Sequence, residues 1–268
     1  MSFVFSVLAI IAYLIASILI VLRLNARRHN QPHRSRKLPI AVSLAALALH
    51  FVALIGTTFT TEGIDFGIFN IASVVSWTIC CILLIICLKN TLDHLGMVVL
   101  PLAIITLIFK ILNPESHHLV DHSWALKVHV ALSLLAYSII SLAAVQAVLF
   151  SIQNHHLHNC KPTGFIRVLP PLNQMEALLF QLIVIGFSTL TLALGSGFLF
   201  LEDLFAQHVA HKTVLSLTAW GGFGILLWGH YRYGWRGKKT TRWTLAGAML
   251  LMLAYFGSKM VFEWILPH

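Results

Sequence analysis

Charge is what this sequence has least of. Asp and Glu number nine in 268 residues, and all charged residues together make up 10%. An ordinary soluble domain carries about a quarter of its residues as charges, so water is not the solvent for most of this surface. So few acids also speak against chemistry that needs a pair of carboxylates. There is no G-x-S-x-G elbow, which excludes a serine hydrolase of that type, and neither a P-loop nor a G-x-G-x-x-G. The four cysteines, Cys80, Cys81, Cys87 and Cys160, contain no C-x-x-C and no C-x-x-C-H. Neither a disulfide framework nor a covalently attached haem is expected from them.

What is present is apolar: 58% of the chain is hydrophobic. It falls into eight runs at 2–22, 38–58, 69–88, 95–112, 126–150, 177–200, 213–231 and 243–262. Each is about 20 residues, the length a hydrocarbon core requires. Backbone polar groups in lipid must be satisfied within each segment. The expected fold is therefore all-α, a polytopic integral membrane bundle of eight transmembrane helices. A single transmembrane domain spans residues 1–268, with no soluble domain and the lipid bilayer as its first partner.

The net charge of +9 does not point to nucleic acid, because of where the charge sits. When alternate loops are assigned to alternate faces, fourteen of the 18 Lys and Arg fall on one side. They include Arg23, Arg27, Arg28, Arg34, Arg36 and Lys37 after the first run, and Arg232, Arg236, Lys238, Lys239 and Arg242 after the seventh. The acids favour the opposite side, at Glu62, Asp65, Glu115, Asp121, Glu202, Asp203 and Glu263. This is the positive-inside pattern; with an even number of spans it predicts both termini on the periplasmic side. The first run has no basic residue ahead of it and is followed by Arg23, as in a retained anchor with its N-terminus outside.

Small and polar residues mark faces that pack on other helices. Asn70, Ala72, Ser73 and Ser76 do so in the third span, and Gly186, Ser188, Thr189, Thr191, Gly195 and Gly197 in the sixth. Gly221, Gly222 and Gly224 in the seventh suggest tight helix packing, with a slot for a flat ligand as the alternative.

Histidine is abundant, 15 in all, and offers metal or haem ligation through neutral imidazole. His50 lies deep in the second span, His129 about one turn into the fifth, and His230 ends the seventh. Ionisable side chains inside a membrane are costly, so each is a functional candidate. The alternative for each is a neutral ring hydrogen-bonded to a neighbouring helix. His117, His118 and His122 on one side, and His155, His156 and His158 on the other, read as solvated loop histidines. The spacing of His118 and His122 nevertheless suits metal ligands on a helix. His208, His211 and Lys212 precede the seventh span. No complete metal-ligand set is present apart from a possible haem iron.

Three segments carry a resemblance: WALKVHVALSLLAYSIISLAAVQA at 124–147, PPLNQMEALLFQLIVIGFSTLTLALGSG at 170–197, and LLWGHYRYGWRG at 226–237. With them the chain resembles, over about residues 38–258, the cytochrome c assembly family of CcsA- and CcmC-like haem-handling membrane proteins. Within that family it is similar to the smaller YpjD/HemX-like branch. The resemblance implies non-covalent haem b in a bacterial inner (cytoplasmic) membrane. It implies His129 as a ligand in a W-x-x-x-H type context, His230 as the histidine ending a span before a G-W-x-G loop, and His50 as the second intramembrane histidine. Depth along the spans, by contrast, favours His50 pairing with His129. The family's tryptophan-rich segment before the seventh span is absent; that region reads LEDLFAQHVAHKTVLS. The function so implied is a haem binder or chaperone rather than an enzyme, working with other cytochrome c assembly or membrane proteins. A transporter or accessory subunit for cation or tetrapyrrole efflux is the second reading, to which Pro101 inside the fourth span lends limited support. A regulatory membrane protein whose histidines only pack is the third.

Overall fold

The computed structural model describes residues 2–29, 35–60, 63–65, 67–89, 92–113, 118–119, 124–158, 169–200 and 210–257. Eight helices run through these residues. They are α1 (Ser2–Arg28), α2 (Lys37–Thr58), α3 (Ile68–Lys89), α4 (Asp93–Leu112), α5 (Trp124–His158), α6 (Leu172–Phe200), α7 (Ala210–Tyr233) and α8 (Lys238–Met252). Each overlaps one expected run, α8 starting five residues before its run, whose last residues lie outside the described ones. The first six are long and apolar enough to cross a membrane. α7 is diluted by His211, Lys212, His230 and Arg232, and α8 opens on Lys238, Lys239 and Arg242. Large apolar side chains stand exposed along the helices, from Phe3, Ile11 and Leu14 on α1 to Leu192 and Leu199 on α6. Water would oppose such a surface and lipid accepts it. This is an all-helical, polytopic membrane protein.

The helices form two compact units. The first holds α1 to α4, and its interior is lined by small side chains that let backbones approach. Ala9, Tyr13, Ala16 and Ile20 form the buried stripe of α1, and Ser43, Ala46, His50 and Ala53 that of α2. Asn70, Ser73 and Ser76 are buried on α3, as their composition predicts. At one end Asp93 accepts an ion-paired hydrogen bond from Arg23 at 2.9 Å and lies 3.2 Å from Arg27. At the other end three short antiparallel strands, β1 (Phe59–Thr60), β2 (Gly63–Asp65) and β3 (His118–Leu119), close over the helix ends. Asn70 ties this hairpin down by donating to the Asp65 carbonyl at 2.9 Å. His118 is thus a strand residue paired with Asp65 and not a helical one. His117 and His122 lie outside the described residues.

The second unit holds α5 to α8. α5 packs along α6, and both α5 and α7 pack on α8. α5 is 35 residues long and continues to His158, so His155, His156 and His158 sit on a helix and not in a loop. A membrane span ends where the apolar run ends, but a helix need not. Gln153 donates to the Pro170 carbonyl and Gln146 to the Met175 carbonyl, both at 2.9 Å, which binds α5 to the start of α6. After Met252 the eighth helix widens into a π-helical turn, Leu253–Gly257.

The glycine run of α7, Gly221, Gly222 and Gly224, is not where close packing occurs. A Cβ on Gly221 would touch nothing, and one on Gly222 or Gly224 would make ordinary contacts. Close approach occurs at Gly186, Gly229 and Gly247 instead, where an added Cβ would fall 2.8, 2.5 and 2.6 Å from Ile140, Trp235 and Phe223. Glycine permits tight packing, but around this run the neighbours are side chains that stop short.

Candidate functional site

Of the three candidate histidines, His50 belongs to the first unit and His129 and His230 to the second. Their surroundings differ in kind.

His50 is completely buried. Its Nε2 lies 2.9 Å from the Ser73 hydroxyl on α3, and its Nδ1 lies 3.3 Å from the Tyr13 hydroxyl on α1. Tyr13 also meets the ring edge-on. Both nitrogens are therefore engaged, one as donor and one as acceptor, as a neutral imidazole requires. Three helices are joined through one ring. The sequence marks Ser73 as a packing residue but gives no hint of Tyr13, whose partner is 37 positions away.

His129 sits at the α5–α6 contact. Its Nδ1 lies 3.0 Å from the Ala193 carbonyl and 3.1 Å from the Ser196 hydroxyl. A carbonyl can only accept, so Nδ1 carries the proton and, in the neutral ring, Nε2 keeps its lone pair. Ser196 donates in turn to the same carbonyl at 2.8 Å, which leaves its lone pairs toward the imidazole.

His230 is held the same way by a different device. α7 ends at Gly234, whose φ of 64° favours glycine. The chain then doubles back, and the Trp235 N–H donates to the Gly229 carbonyl at 3.2 Å. This brings the Trp235 carbonyl 2.9 Å from His230 Nδ1, which must donate to it. Phe180 of α6 stacks on the imidazole with ring centroids 3.5 Å apart. One turn earlier on α6, Glu176 accepts the Gly237 N–H at 3.0 Å and so anchors the far end of the same turn. Glu176 is one of the few acids outside the acid-rich loops, and that isolation is the signal by which sequence reading could have found it.

Nδ1–H donation to a carbonyl with a free Nε2 is the arrangement by which metal-ligating histidines are oriented. Both His129 and His230 have it, and among the described residues neither Nε2 has a hydrogen-bond partner. The two do not share a centre. The residues of α6 that hold them, Phe180 and Ala193, are 13 positions apart, about 20 Å along the helix. Among the described residues no three His, Cys, Asp or Glu side chains group to hold a bare metal ion. His211 is exposed at the start of α7, while His208 lies outside the described residues.

Comparison with known proteins gives these histidines a context. The family model described as Cytochrome C assembly protein matches residues 45–266. The "Inner membrane protein YpjD" of Escherichia coli (strain K12) is 34% identical over 266 residues, covering 98% of this chain and 99% of that one. The "Protein HemX" of Brevibacillus brevis is 22% identical over 131 residues, 48% of each chain. The "Cytochrome c biogenesis protein CcsA" of Chlamydomonas reinhardtii is 25% identical over 142 residues, 52% of this chain and 38% of that one. No solved structure matches. With a family match that runs through α2 to α8 and a relative alike from end to end, the chain belongs to the cytochrome c assembly protein family.

Proposed function

We propose that this chain is an inner-membrane haem-binding protein, a binder or chaperone that holds haem b non-covalently and has no turnover of its own. The observation that carries the reading is the shared state of His129 and His230, each with Nδ1–H given to a main-chain carbonyl and Nε2 left as a lone pair. Such a nitrogen is the form in which imidazole takes an iron. Bound haem would supply an imidazole-ligated iron; the chain's part is to fix the ring, its tautomer and its depth. Two such histidines about 20 Å apart along α6 suit two positions for haem, one toward each end of the unit. A relative whose name places it in the inner membrane supports that location. The fourteen basic residues on one side support eight crossings with both termini periplasmic.

His50 plays another part in this reading. To bind iron it would have to give up Tyr13 or Ser73, so it serves as a polar link between α1, α2 and α3. That is the packing role weighed for all three histidines, and here it falls to one.

The test is reconstitution of the purified full chain with haem. A Soret band that His129→Ala and His230→Ala each diminish, with all haem extracted by acid acetone, is the expected result. No Soret band at stoichiometric haem, or haem left on the chain after extraction, would overturn the reading.

A further inference from the structure

The second unit contains a cleft, ringed by basic and polar residues, that none of the haem chemistry uses. It has a volume of about 480 Å³ and lies between the end of α5 and the first turn of α8. Lys238 and Arg242 line it from α8, and Ser151, Asn154, His155 and His156 from α5. Thr241 and Ile152 complete its lining. No carboxylate lines it among the described residues; Glu176 accepts from the Gly237 N–H in the turn before α8.

We propose that this cleft binds the phosphate headgroup of an anionic phospholipid. The charge decides the sign of the ligand. Two permanent cations with no facing acid repel a metal ion, even though His155 and His156 stand with ring centroids 5.9 Å apart. A phosphodiester satisfies the same groups: its oxygens accept from the ammonium, the guanidinium, the amide of Asn154 and the hydroxyl of Ser151.

Depth selects a lipid over a dissolved anion. α5 has 35 residues and is about 52 Å long, well beyond a hydrocarbon core of about 30 Å. Its apolar run ends at Phe150, and the next eight residues include Ser151, Gln153, Asn154, His155 and His156. The headgroup layer on each side is about 5–7 Å thick, some four or five residues of helix. With the lipid boundary at Phe150, residues 151–155 therefore lie at headgroup depth. Exposed Tyr231, Tyr233 and Trp243 at the same end of α7 and α8 are the aromatic residues that settle at this boundary. Basic clefts between helices at a membrane face are known to hold anionic headgroups.

The experiment is native mass spectrometry of the full chain in detergent, titrated with phosphatidylglycerol or with phosphatidylcholine of the same acyl chains. Phosphatidylglycerol should bind with about tenfold or greater preference, and Lys238→Gln with Arg242→Gln should remove that preference. Arg232→Gln with Lys239→Gln removes the same charge from exposed positions outside the cleft and should leave it intact. Inorganic phosphate at millimolar concentration should fail to displace the lipid. Equal binding of both lipids, equal loss in both double variants, or full displacement by inorganic phosphate would each overturn the proposal. Because haem plays no part in the readout, a chain that binds no haem would still decide it.

Discussion

His129 gives its Nδ1 proton to the Ala193 carbonyl across the α5–α6 contact, and Ser196 gives its own proton to that same oxygen. The carbonyl cannot be mutated, but Ser196 can. In Ser196→Ala the imidazole keeps its main-chain acceptor and loses the hydroxyl that stands 3.1 Å from Nδ1. Groups that orient a ligating histidine are worth about 10- to 100-fold in affinity, and losing one of two should weaken haem binding by about tenfold. Haem titration followed at the Soret band measures it, with circular dichroism to establish that the helices are unchanged. Undiminished affinity would mean that His129 does not carry iron.

His50 should behave oppositely. His50→Ala takes the imidazole partner from the buried Tyr13 and Ser73 hydroxyls and removes the ring between three helices. Each buried polar group left alone costs about 1–3 kcal/mol, less where it finds a new partner among neighbouring helices. Thermal unfolding in detergent should shift down by several degrees, while haem bound per folded chain stays as in the wild type. Loss of haem from a variant that unfolds normally would make His50 a ligand after all.

Much of the fold is legible in the sequence because lipid imposes one length and one polarity on every span. All eight helices overlap the apolar runs, and Asn70, Ser73 and Ser76 face inward as small polar residues should. Helix ends beyond the lipid are not so constrained: α5 runs through Ser151 to His158 although apolarity stops at Phe150. The candidate histidines could be named from sequence, but their states could not. His50 is consumed by a tyrosine on another helix, and His230 is oriented by a carbonyl that reaches it only because Gly234 turns the chain. Such contacts come from tertiary packing, which no local pattern encodes. Composition misled at Gly221, Gly222 and Gly224, since permission to pack closely is not packing.

The proposed topology makes its own prediction. A fluorescent protein that matures only in the cytoplasm should light up when fused after Arg36 or Lys239, and stay dark when fused after His268. The expectation rests on loop charge, which governs short loops most strongly. Signal from the His268 fusion, or darkness at the other two, would reverse the orientation or change the number of crossings.

Gly229 tests the turn that holds His230. A Cβ at this position would lie 2.5 Å from two atoms of the Trp235 indole, too close for either to remain. The indole cannot slide away cheaply, since it also neighbours Trp243 and lies beneath the Lys239 ammonium. Nor can the backbone of Trp235, whose N–H is bonded to Gly229 and whose carbonyl holds His230. Gly229→Ala should therefore destabilise the chain by about 1–3 kcal/mol, the usual cost of overpacking. It should also release the Nδ1 bond that fixes the His230 tautomer. Gly221→Ala on the same helix meets open space and replaces a poor helix former with the best one, so its stability should hold or rise slightly. The pair separates a steric effect at the turn from any general effect of changing a glycine in α7. In haem titrations Gly229→Ala should resemble His230→Ala, and Gly221→Ala should resemble the wild type. If Gly229→Ala instead binds haem normally, the turn does not set the state of His230.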